Sequence, residues 1–121
     1  MTKIALMLAR LAGALTLVLG AAHAFGLGPV LQLHMIGGTV FVLALWALVF
    51  TGFRAAPKLA VLAFNWGVVV VAFGIFQLRL VPGEYHWTMQ LLHLLLGLSA
   101  MAQAERLGAA IKRREAGTAA G

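Results

Sequence analysis

No cysteine occurs among the 121 residues. That excludes a disulfide framework, a thiolate metal centre and covalent attachment of a prosthetic group through a cysteine pair. Charge is also scarce. Asp, Glu, Lys and Arg together make up 10% of the chain, too few to cover the surface of a soluble domain of this length. Acids are the rarest of these, three against nine Lys and Arg, for a net charge of +6. No groove-reading or aromatic-interleaved basic motif accompanies the surplus, so no nucleic-acid partner is expected. In so apolar a chain, basic residues report orientation across a bilayer instead.

What the chain has in abundance is hydrophobic sequence, 63% of all residues. Four apolar runs, near 4–25, 30–53, 59–80 and 85–107, each reach the ~20 residues that cross a hydrocarbon core. The breaks between them carry turn chemistry: Gly26-Leu27-Gly28-Pro29, Arg54-Ala55-Ala56-Pro57-Lys58 and Val81-Pro82-Gly83-Glu84. Short connections make neighbouring helices antiparallel. The expected fold is all-α: a four-helix up-down-up-down transmembrane bundle forming one domain over 1–121, with a flexible basic tail over 108–121. Lys3, Arg10, Arg54, Lys58, Arg106, Lys112, Arg113 and Arg114 share one side of that arrangement, while Arg79 lies towards the other. Both termini are therefore expected in the cytoplasm, with the protein multi-pass in the inner (plasma) membrane. The first run also ends in Ala22-His23-Ala24, a pattern like a signal-peptidase site. Its organised small face of Gly13, Thr16, Gly20 and His23 favours a retained span.

The four histidines are the chemically distinctive residues. In the expected topology His23, His34, His86 and His93 all fall in the outer half of the bundle. Imidazoles inside a membrane span are costly enough to be read as functional by default. His86 and His93 lie on nearly one helix face, ~10.5 Å apart along the axis, and Gln90, Gly97, Ala100 and Ala104 continue that stripe. His34 is followed by Gly37 and Gly38, and His93 by Gly97 one turn on. Gln32-Leu33-His34-Met35-Ile36-Gly37-Gly38 faintly repeats Gln90-Leu91-Leu92-His93-Leu94-Leu95-Leu96-Gly97. The third run adds Asn65-Trp66-Gly67, then Gly74, Gln77 and Arg79.

Two neutral imidazoles from facing helices, with glycine gaps beside them, suit axial ligation of a b-type haem. His34 and His93 are the favoured iron ligands, with Gly37, Gly38 and Gly97 making room for the ring. Gln32 and Gln90 are candidates to bond the imidazoles' other nitrogens. Arg79, His86, Tyr85, Trp87 and His23 are available to propionates on the outer side. The alternative metal pair is His23 with His86, which would either replace the first or hold a second haem.

In topology over 4–107, and in His34-x-x-Gly37-Gly38 and His93-Leu-Leu-Leu-Gly97, the chain resembles small four-helix transmembrane b-type cytochromes, in the style of cytochrome b561. The resemblance implies electron transfer rather than substrate conversion, and a redox partner protein or quinone as donor or acceptor. It also implies either an autonomous carrier, as a homodimer or in a larger complex, or the anchor subunit of an oxidoreductase. Such families commonly hold two haems, one near each membrane face. This chain has no histidine in its cytoplasmic half, a departure from a transmembrane two-haem wire, and two sites ~10.5 Å apart along the fourth helix would crowd so small a bundle, which favours one haem. Two other classes compete: a cofactor-free structural or assembly subunit of a membrane complex, and a small proton-coupled transporter. The small multidrug-resistance transporters rely on an acidic residue in the first span, and none is present here.

Overall fold

The computed structural model describes residues 1–120 and, of Leu78, the backbone only. The described chain is all-helical: α1 (Thr2–Ala24), α2 (Leu31–Gly52), α3 (Pro57–Leu80) and α4 (His86–Ala119). Helix limits follow from the turn residues. α1 closes in a Schellman motif, with Gly26 at φ 70° and its N–H donating to the His23 carbonyl. The Leu27 N–H reaches back to the Ala22 carbonyl at 2.8 Å. α3 opens on Pro57, whose missing N–H is no loss in a first turn.

Three of the helices, α1, α2 and α3 to Gln77, are long and apolar enough to cross a membrane. Their outer faces carry large exposed apolar side chains, among them Leu11, Leu15, Val18, Leu43, Phe50, Ile75 and Phe76. Water would penalise such a surface and lipid would not, so the helices point to a membrane protein. The fourth expected span, 85–107, is helical but falls outside that apolar set. Gln90, His93, Gln103, Glu105 and Arg106 dilute its apolar content.

α1 packs on α2 and α4, and α3 packs on the same two helices. α2 and α4 also touch each other across the middle, whereas α1 and α3 do not meet among the described residues. The packing is keyed by large side chains seated on glycines. Leu6 sits over Gly108, and Met101 over Gly13, where an added Cβ would lie 2.9 and 3.1 Å from side-chain atoms. Leu107 covers Gly52, at 2.7 Å from such a Cβ, and the Trp46 indole covers Gly67 at the same distance. Early residues of α1 thus meet late residues of α4, and the ends of α2 and α4 meet in the same chain order. In lipid, where no hydrophobic drive acts between helices, close approach of this kind is what would hold them together. Leu45, Leu48 and Leu107 are fully enclosed at the centre of the core.

In the segment from 108 onwards, expected as a tail, α4 continues to Ala119. The reason is packing, since Ala100, Gln103, Ala104, Leu107, Gly108 and Ile111 form one buried stripe along the helix. Gly121, the end of that expected tail, lies outside the described residues.

Candidate functional site

His34 enters α2 one turn after its start, and His93 lies two turns into α4. Because α2 and α4 are the two helices in contact across the bundle, these histidines meet. Their ring centres are 6.1 Å apart and the ring planes cross at 65°. Two imidazoles on opposite sides of one first-row metal ion, each with a metal–nitrogen bond of ~2.0 Å, have ring centres ~6 Å apart. The observed spacing matches that value.

The His34 ring is held from α1. Its Nδ1 lies 2.8 Å from the Thr16 carbonyl oxygen. A carbonyl only accepts, so Nδ1 carries the proton and Nε2 keeps its lone pair free. A ring nitrogen fixed by an acceptor, with the other left basic, is the arrangement that metal-binding histidines require. Gly20 permits the contact: a Cβ there would stand 2.9 Å from His34 Cε1.

His93 is held from α3. Phe73 lies almost parallel to it, at 10° and 6.1 Å between ring centres. Gly74 abuts its edge, where a Cβ would stand 3.0 Å from His93 Cε1. Unlike His34, His93 has a buried Nδ1 without a hydrogen-bond partner. Thr16 Oγ1 and Gln77 Oε1 are buried and unpartnered as well. Leaving one such group without a partner costs about 1–3 kcal/mol. Their concentration around two half-buried imidazoles marks a polar site inside an apolar bundle. The donor set therefore fits a metal-centred cofactor gripped by two imidazoles.

The other expected residues fall in different places. His86 is half-buried with Nδ1 3.2 Å from the Val81 carbonyl, at the α3–α4 turn. His23 is exposed at the end of α1 and makes no side-chain hydrogen bond among the described residues. Arg79 is exposed near the end of α3. Gly37 and Gly38 face α1: a Cβ at Gly37 would stand 2.6 Å from Thr16 Oγ1, and one at Gly38 3.7 Å from Thr16 Cγ2. Gly37 thus admits the Thr16 side chain. Gly97, in contrast, borders open space, with nothing within 4 Å of an added Cβ. Gln32 is exposed, and neither it nor Gln90 bonds a histidine among the described residues. The partner of His34 is a backbone carbonyl instead, which residue type alone does not reveal.

Gly20, Phe73, Gly74 and Gln77 belong to the site although the histidine spacing does not single them out. Their signal is the small face of α1 and the Gly74-to-Gln77 spacing on α3. No group of three or more His, Cys, Asp or Glu side chains comes together among the described residues. Two surface grooves, of about 230 and 270 Å³, lie elsewhere: one beside Phe50 and Asn65, the other between α1 and α2 at Leu15 and Ile36. Comparison with known proteins finds no matching family model, no matching characterised relative and no matching solved structure.

Proposed function

We propose that the chain is a membrane-embedded haem b-binding protein for electron transfer, with His34 and His93 as the axial ligands of a single haem. The observation that carries this reading is the meeting of these two imidazoles at 6.1 Å, one of them already fixed with its Nε2 lone pair free. When bound, the haem supplies a reversible one-electron centre.

The chain's own part is to position and to insulate. The Thr16 carbonyl orients His34, and Phe73 with Gly74 orients His93. The apolar walls of α2 and α4 lower the local dielectric, which together with the bonds to the imidazoles tunes the reduction potential. His86 and Arg79 are available to propionates at the outer end. The alternative pair of His23 and His86 draws no support from an exposed His23 and a His86 engaged by Val81.

In this reading the helices cross the inner membrane in up-down-up-down order. α4 serves as the fourth span because Gln90, His93 and Gln103 turn towards the bundle, while Leu91, Leu92, Leu94, Leu95 and Leu98 face lipid. The basic residues favour cytoplasmic termini and an outward histidine site. Electrons pass to or from a redox partner protein or a quinone.

The test is a reduced-minus-oxidised spectrum of the protein purified in detergent after expression with ample haem. Soret and α-band changes are expected. Their absence, even after haem supplementation, overturns the proposal.

A further inference from the structure

Two buried orphans border Gly74. On one side is His93, whose Nδ1 has no partner and would lie 3.8 Å from a Cβ at Gly74. On the other is Gln77, one turn along the same helix, whose Nε2 donates to the Gly74 carbonyl at 3.4 Å. That bond fixes which way the amide points. A carbonyl cannot accept from another carbonyl, so the nitrogen must face Gly74 and Oε1 must face away. Oε1 is buried and empty-handed. α3 thus carries an unused acceptor one turn from the glycine against which the His93 ring, with its own unused nitrogen, is packed.

We infer that Gln77 is the positioning residue for His93: its Oε1 accepts the Nδ1 proton of His93 through one bridging buried water. Buried waters take up such pairs routinely. The consequence is a tautomer. With Nδ1 protonated, His93 presents the Nε2 lone pair, matching His34 with its Thr16 carbonyl. The two imidazoles then offer equivalent nitrogens, each backed by an acceptor from the helix preceding it in the chain. Alternatives elsewhere in the molecule explain less. Gln103 is also buried with an orphaned Oε1, but it lies nearly three turns past His93 on α4, away from both imidazoles.

The tautomer is measurable without any cofactor. Nitrogen-15 NMR of histidine-labelled protein in detergent is expected to find His93 predominantly protonated at Nδ1. Gln77→Leu should reverse the preference to Nε2–H. Gln77→Asn, which keeps the amide but is one methylene short, should behave like Gln77→Leu and guards against misfolding of the apolar variant. Gln77→Glu, which keeps an acceptor at the same reach, should preserve the wild-type tautomer. An unchanged His93 tautomer in folded Gln77→Leu or Gln77→Asn overturns the inference.

A second readout rests on the haem reading. Removing an acceptor behind a ligating histidine typically weakens binding ~10–100-fold, so Gln77→Leu should release haem at least ~10-fold faster than Gln77→Glu. If wild-type protein takes up no haem but the tautomer still switches, the proposed function fails and the role of Gln77 stands. If haem binds and both readouts ignore Gln77, the function stands and this assignment falls.

Discussion

His34 and His93 stand 6.1 Å apart between ring centres although 58 residues separate them in the chain. Their meeting is produced by the direct contact of α2 with α4. If the pair is the cofactor grip, it acts as a unit. His34→Ala and His93→Ala should each abolish the haem spectrum, and the double variant should look no worse than either single one. His23→Ala and His86→Ala should retain it. Absorption spectra of the five variants at equal protein concentration check this, with circular dichroism to confirm that helix content is unchanged. A spectrum lost in His23→Ala and His86→Ala but kept in His34→Ala would transfer the site to His23 and His86.

Glycine substitutions separate packing at the site from packing in general. A Cβ at Gly74 would approach His93 Cε1 to 3.0 Å, so Gly74→Ala must push the imbedded ring aside by a few tenths of an ångström. Gly20→Ala does the same to His34, from 2.9 Å. At Gly97 nothing lies within 4 Å, and the added methyl is free of conflict. An exposed Gly→Ala change in a helix gains up to ~1 kcal/mol from propensity alone. The expected result is a shifted or weakened haem spectrum in Gly20→Ala and Gly74→Ala, and a spectrum like wild type in Gly97→Ala. Titration with haem, followed by the Soret band, gives the comparison.

Helix number and approximate limits are legible in the sequence because they depend on local quantities. Apolar run length sets the spans, and Gly26, Pro57 and Gly83 mark the breaks. The approach of His34 to His93 is partly legible too, since both lie near the starts of their helices, α2 and α4. What surrounds them is not. His34 is oriented by a backbone carbonyl, and every residue type supplies one, so Thr16 leaves no compositional trace in that role. The glycines that admit the imidazoles are on α1 and α3, across from the histidines rather than beside them, because close packing depends on the facing helix. Gly37 stands beside His34 in one dimension and admits the Thr16 side chain in three.

Arg10 and Glu105 tie α1 to α4 through two contacts, Nε to Oε1 at 2.6 Å and Nη2 to Oε2 at 2.7 Å. The pair lies between the Gly13–Met101 and Leu6–Gly108 contacts, and both side chains are about half exposed. Exposed pairs contribute little in water, although the two-point geometry is the favourable one. A double-mutant cycle with Arg10→Ala and Glu105→Ala should give a small favourable coupling, read from unfolding in mixed micelles. Haem binding should be unaffected in all three variants, because His93 lies more than three turns before Glu105 on α4 and Thr16, which holds His34, lies beyond Arg10 on α1. A coupling near zero would mean that the ion pair forms without contributing to association.

The continuation of α4 past residue 107 leads to a prediction about chain length. Leu107 and Ile111 close over Gly52, and Gly108 seats Leu6. All three residues are buried, whereas Lys112 to Ala119 are exposed although helical. Removal of residues 112–121 should therefore leave helix packing and thermal stability nearly unchanged. Removal of residues 107–121 deletes the core contacts with both α1 and α2. Loss of a single large buried side chain typically costs 2–5 kcal/mol, and Leu107 is fully enclosed. The shorter protein should unfold at clearly lower temperature in detergent and lose its protection against proteolysis near Gly52. Point variants locate the effect: Leu107→Ala should reproduce most of it, and Arg113→Ala none. Equal stability of the two truncated proteins would mean that the bundle ends at Arg106 and that the helix beyond it is only a basic extension.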